Sequence, residues 1–388
     1  MNKFIVKDRV IAFLPSIVFV AFVILNSSII KGIVGIDDVF ITSIIVFFYL
    51  FLSIFIGFKF YIEWSFFLLV SICFFSILIN SIPSQFNSEF RYIAWLLLMI
   101  AFSPLFHNNF IGILRYQLFV LLMKSFSLIT VISFFYYILG LPNLGRGHFT
   151  GIMSHSMILA PISALSCIYS SFNFFNEHSH VKKISFIIIA FLSLIVLYLC
   201  GSRSALIGCL ISLFLLFVYS KARYKFIFLF FSIFLFIISS LGSFSVSNTS
   251  GVFEDRGNTR ELLWLNRIIE FRSSPFIGIG FAAQTEQKIL SSGRSEASES
   301  GKIEPGSGYL MVLSMTGLLG FSLFLFILVK YLIKLREELK YNSDFCFLFY
   351  ILVFFCFHFI AEGYVYAFGS LMCSTFWLLL GASRFVLK

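Results

Sequence analysis

Residues 10–28, VIAFLPSIVFVAFVILNSS, run for nineteen positions without a charge, and runs of this kind recur almost to the end of the chain. About 20 apolar residues in a helix reach across the hydrocarbon core of a bilayer. A chain built of such runs is committed to a membrane before any motif is read. Composition agrees: 60% of the residues are hydrophobic, 12% are charged and the mean hydropathy is +1.00, whereas soluble domains sit near half apolar and a quarter charged.

Apolar windows place spans at about 10–28, 39–58, 64–82, 92–106, 116–140, 152–171, 185–200, 204–220, 226–243, 307–330, 345–360 and 364–382. The expected fold is an all-α polytopic membrane protein with about 12 transmembrane helices. Only a Gly-Ser-Arg turn separates the seventh and eighth spans, so they read as a tight hairpin. The first run has no small-residue cleavage site and is expected to remain as a span. Three regions follow: residues 1–243 with spans one to nine, a large loop over 244–305, and residues 306–388 with the last three spans.

Orientation comes from Lys and Arg in alternate loops. One side collects sixteen, among them Lys3, Lys59, Arg115, Lys182, Lys330 and Arg384, whereas the short loops of the other collect Lys31, Arg91, Arg146 and Arg203. Positive charge stays cytoplasmic, which puts both termini inside and the long loop outside. Much of the net charge of +10 is thus a topology signal, and no nucleic acid is implied. Six of the seven cysteines fall within apolar runs and Cys200 at the edge of one, without metal-ligand spacing; they read as small buried hydrophobes.

The long loop changes character, with seven basic and eight acidic residues. Within it, Leu262, Leu263, Leu265, Ile268, Ile269 and Phe271 recur at helical spacing and predict an amphipathic helix on the bilayer surface. Ser291–Gly308 is polar and rich in Gly and Ser, and reads as a flexible segment.

Arg203 lies in CGSRSALIG (Cys200–Gly208), at the external boundary between two apolar runs. A cation beside hydrocarbon must pair, snorkel or line a polar cavity. It reads either as a snorkelling arginine marking a turn or as an anion site, since small neighbours and hydroxyls leave room for a guanidinium to take phosphate in two-pronged fashion. Arg260, Trp264 and Arg267 share one face of the predicted loop helix, and Arg91 and Arg146 open on the same side. External arginines without a matching run of carboxylates suit a dianionic headgroup such as a polyprenyl diphosphate. Blander readings stand beside these. Arg267 and Glu270 are also an i, i+3 pair, Trp264 an interfacial anchor, His155 a core histidine and Lys124 a snorkelling cation.

These residues resemble the O-antigen ligase and Wzy polymerase superfamily. GSRSALIG (Gly201–Gly208) is similar to its SRSAL turn. TRELLWLNRIIEFRSSPFIGIGF (Thr259–Phe281) is similar to its loop pattern of Arg260, Trp264, Pro275, Gly278 and Gly280. GYLMVLSMTGLLGFSLFLFIL (Gly308–Leu328) is similar to its loop-closing span, and GRGHFTGIMSHSMILAP (Gly145–Pro161) to a Gly-rich turn entering the sixth span. Ligases of the family carry a His-Asn pair just before the Tyr-Leu of the loop-closing span. Here Gly306 and Ser307 stand in those places, and the long loop has no histidine, which favours a polymerase.

The resemblance implies a metal-independent glycosyltransferase without cofactor. It would move an undecaprenyl-diphosphate-linked glycan onto a sugar hydroxyl of a lipid-linked acceptor, at the periplasmic face of a bacterial inner membrane. Arg203 and Arg260 are expected on the leaving diphosphate, with Arg267, Arg146 and Arg91 as further substrate contacts beside His155 and Tyr309. Glu304, next to the missing His-Asn, is the expected base; Glu254, Asp255, His148 and His155 are alternatives. Expected partners are the lipid-linked donor and acceptor, membrane lipid and a chain-length regulator protein. Two other readings remain: a ligase acting on lipid A-core, and a flippase or transporter, although the halves show no internal repeat.

Overall fold

The computed structural model describes residues 61–142, 148–219, 254–284, 303, 306–339 and 346–386, with 254–260 described as helical backbone alone. The expected spans at 10–28, 39–58 and 226–243 lie outside these residues. Ten helices are described: α1 (Trp64–Ile79), α2 (Ser88–Phe102), α3 (Asn109–Ile138), α4 (Ser156–Asn176), α5 (His180–Leu199), α6 (Arg203–Tyr219), α7 (Glu254–Ser273), α8 (Gly308–Glu338), α9 (Phe347–His358) and α10 (Leu371–Val386). The helices α3, α4, α5 and α8 are long and apolar enough to cross a membrane, and α1, α6, α9 and α10 are shorter apolar helices. The protein is thus a helical membrane protein. The one sheet described is the antiparallel pairing of β1 (Tyr61–Ile62) with β2 (Phe106–His107).

Helix ends depart from the apolar windows where polar groups decide them. The window 116–140 becomes a helix from Asn109, because the Asn108 side chain accepts the Ile111 N–H at 2.8 Å and caps it. Arg115 then falls inside α3 and is buried, not in a solvated loop. It donates to the carbonyls of Ile100 and Ala101, acceptors that the end of α2 leaves over, and of Phe106 in β2, each at 2.9 Å. The last span begins at Leu371, seven residues later than its window. Phe359–Ser370 forms a bend whose Tyr364, Val365 and Tyr366 are buried, and irregular backbone at this depth is tolerated when protein surrounds it.

Two ends of the bundle can be distinguished. At the basic end the β1–β2 bridge ties the start of α1 to the connection before α3. There Glu63 is paired with Lys330 of α8 and lies 3.4 Å from Arg384 of α10. At the opposite, loop end, the connection after α7 enters the bundle. Asn80 donates to the Gly278 carbonyl at 3.1 Å, and the Phe281 N–H donates to the Ser76 hydroxyl at 3.0 Å. The Phe281 ring sits 5.2 Å from Trp95 and 5.0 Å from Tyr366, so an aromatic plug anchors the loop in the core.

This entry depends on a break in α8. Gly317 has a φ of 64° inside the helix. The Leu318 N–H donates to the Pro275 carbonyl at 2.8 Å and Leu319 to Phe276 at 3.2 Å. In return, the N–H groups of Ile279 and Gly280 donate to the carbonyls of Ser314 (2.9 Å) and Met315 (3.2 Å). The broken turn and the inserted loop satisfy each other's backbone. A Cβ on Gly317 would overlap the Phe276 backbone, and one on Gly278 that of Met315.

Candidate functional site

Arg203 is exposed and opens α6. The Ser202 carbonyl accepts the Leu206 N–H at 3.1 Å, so the guanidinium stems from the first turn, where unpaired N–H groups and the positive helix end favour an anion. Gly201, with a φ of 67°, makes the turn; a Cβ there would stand 2.8 Å from the His148 ring, which brings the α3–α4 connection alongside. Gly208 lets α6 close on α9, since its Cβ position lies 3.1 Å from the Phe354 ring. The Tyr219 and Phe349 rings meet at 6.4 Å near the other ends of these helices. The two helices are therefore antiparallel, and Arg203 lies level with the end of α9.

The start of α8 joins this end. The Gly308 N–H donates to the Phe359 carbonyl at 2.8 Å, as does the Ser307 hydroxyl at 3.2 Å. Gly306 faces α7, with its Cβ position 3.1 Å from Leu263 Cβ and 3.4 Å from Trp264 Cδ1. One turn before Trp264 in the same helix stands Arg260. Glu362 follows the end of α9, half-buried, with its carbonyl oxygen 3.0 Å from where a Gly308 Cβ would be. The helix α7, the start of α8 and the bend after α9 thus meet at the loop end, and the first turn of α6 lies at that same end, level with the end of α9.

The remaining sequence candidates are distributed as follows. Arg267 is fully buried in the α7–α8 contact, donating to Glu270 Oε2 at 2.8 Å and to the Ser314 hydroxyl at 3.2 Å. The amphipathic reading of α7 holds, but the helix faces the bundle with this ion pair and presents Leu262, Leu265 and Ile269 outward. Tyr309 is partly buried and donates to the Cys356 carbonyl at 2.8 Å. His155 caps α4, its Nδ1 accepting the Met157 N–H at 3.1 Å. Arg91 is half-buried in the first turn of α2, near Ser88, whose hydroxyl donates to the Ala282 carbonyl of the inserted loop at 3.3 Å. Arg146 and Glu304 lie outside the described residues, as does the side chain of Arg260.

Residues 188–325 match the model of the O-antigen ligase family. This part of the chain is an O-antigen ligase family domain. It runs from α5 through Arg203, α7 and the inserted loop to the broken half of α8. The family's members are glycosyl-transferring enzymes of polysaccharide assembly. No curated protein matches the chain. The matched residues end before α9, so Glu362 lies beyond them. Sequence reading passed over Glu362; a single acid between the last two apolar runs was the available signal.

Proposed function

We propose that the protein polymerises undecaprenyl-diphosphate-linked oligosaccharide repeat units, as O-antigen or capsular polysaccharide, at the periplasmic face of a bacterial cytoplasmic membrane. The single observation that carries the reading is Arg203, exposed on the first turn of α6 at the end of the bundle where α7 and the start of α8 meet. In the transfer, an acceptor hydroxyl oxygen bonds to the donor's anomeric carbon and the bond from that carbon to the phosphate oxygen breaks. The hydroxyl proton passes to a base, and the lipid diphosphate leaves with the electron pair. Arg203 and Arg260 hold the leaving diphosphate as charge develops on it, with Arg146 and Arg91 as further anion contacts on that face. Tyr309 and His155 border the glycan path. The burial of Arg267 against Glu270 and Ser314 supports a role in docking α7 beneath the substrate. A chain-length regulator protein is a fitting partner for such an enzyme.

Gly306 and Ser307, in place of the His-Asn of ligases, support polymerisation over ligation; the family's name favours ligation to lipid A-core as the second reading. Incubating the purified protein with its lipid-linked repeat unit, alone and with lipid A-core, separates them. Polymerisation gives a product ladder from the repeat unit alone. Product that needs lipid A-core makes the protein a ligase. No product in either case favours a transporter.

A further inference from the structure

We propose that Glu362 is the base that activates the acceptor hydroxyl in this site, a role that rests on the glycan-transfer reading above. Among the described side chains, the carboxylates at the loop end are Glu89, Glu261, Glu270 and Glu362. Glu89 and Glu261 are exposed, and Glu270 is buried against Arg267. Glu362 alone combines partial burial with a position where the elements of the site meet. Its carbonyl touches the Gly308 position, and Ser307 and Gly308 both donate to Phe359, three residues before it. The segment Gly306-Ser307-Gly308 links Trp264 and Glu362, with Gly306 against Trp264, Gly308 against the Glu362 backbone, and the Ser307 hydroxyl engaged with Phe359.

Arg203 and Glu362 occupy the same end of one antiparallel helix pair. Arg203 stands five residues before Gly208, and Glu362 eight after Phe354, the two residues in contact. In the proposed reading, a diphosphate at Arg203 and the carboxylate of Glu362 are therefore at one end of the bundle. That bend is rigid. The Glu362 N–H donates to the His358 carbonyl at 3.0 Å, and His358 Nδ1 lies 2.7 Å from the Tyr364 hydroxyl, with both rings buried. A base must be held within hydrogen-bond reach of its proton, and here the residues on both sides of the carboxylate are pinned. The step balances: the carboxylate takes the acceptor proton as the new glycosidic bond forms, and the diphosphate leaves with the electrons of the broken bond.

The test uses the purified full-length protein with the lipid-linked repeat unit, measuring turnover and donor binding for Glu362→Gln, Glu304→Gln and Arg203→Ala, with melting temperature as the folding control. Glu362→Gln is expected to lower turnover at least about 100-fold with donor affinity and melting temperature unchanged, whereas Arg203→Ala weakens donor binding. Formate added to Glu362→Ala is expected to restore part of the lost turnover, which a structural role would not allow. If Glu362→Gln does not fold, Glu362→Asp decides: an undiminished kcat overturns the proposal. So does turnover of Glu362→Gln within about threefold of the unaltered protein, or a loss confined to Glu304→Gln. An unaltered protein that joins no repeat units overturns the transfer reading and this proposal with it, whereas an active protein with an active Glu362→Gln overturns this proposal alone.

Discussion

A guanidinium on the first turn of a helix and a glycine inside a helix are both local choices with distant consequences. If Arg203 holds the leaving diphosphate as proposed, Arg203→Ala removes the cation that meets the developing charge, and turnover is expected to fall about 10²–10³-fold. Arg203→Lys should recover only part of this, since an ammonium cannot match the two-pronged guanidinium contact; repeat-unit turnover by both variants at equal folded protein checks the pair. At Gly317 the expected loss is of stability. Its φ of 64° is joined to backbone overlap with Phe276, so Gly317→Ala should cost at least about 3 kcal/mol, strain and overlap together. Gly140 is the internal comparison: its φ is 63°, but nothing lies within 4 Å of an added Cβ. Gly140→Ala should cost only about 1–2 kcal/mol. Thermal melts in detergent that rank the two equally would overturn the account of the broken helix.

At the scale of elements, α7 is docked by a buried ion pair. Removing one partner of such a pair leaves a desolvated charge and costs about 3–5 kcal/mol, whereas replacing both with apolar residues is often tolerated. Arg267→Met should therefore destabilise the protein strongly, and the double variant Arg267→Met/Glu270→Met should regain most of that loss. A docking role predicts that turnover returns with the fold. Turnover that stays lost in a stably folded double variant would show Arg267 acting on the substrate. The inserted segment after α7 and the broken half of α8 form a second unit of this kind. Each supplies the donors and acceptors that the other's irregular backbone requires, so neither motif makes structural sense alone.

Across the whole molecule, the basic end is held by Glu63, which joins α1 to α8 and α10 through Lys330 and Arg384. Burial alone would raise the Glu63 carboxyl, but the Lys330 hydrogen bond and the Lys330, Arg384 and His107 charges outweigh it and hold it below the ordinary carboxylate range. The fold thus favours the ionised form. Its contribution is complete above the unfolded value of about 4.3 and is lost as pH falls through the lower folded value. The melting temperature should drop as acid titrates this group, and Glu63→Gln should start lower at neutral pH and show a smaller drop. An identical acid profile for both proteins would remove Glu63 from the account.

Periodicity by itself determined that this chain is a helical membrane protein, that an amphipathic helix lies within residues 244–305, and that Arg203 lies at the boundary between two apolar helices. These properties depend on neighbours along the chain, which a sequence displays directly. Arg115 appeared as a loop charge and Arg267 as a substrate contact, and their burial depends on carbonyls and a serine contributed by other helices. Glu362 drew no notice in a short connection near the end of the chain, 159 residues from Arg203. Only the tertiary structure decided that these two share one end of a helix pair, because that follows from the close approach of α6 and α9 at Gly208, and side-chain packing between distant segments leaves no period to read.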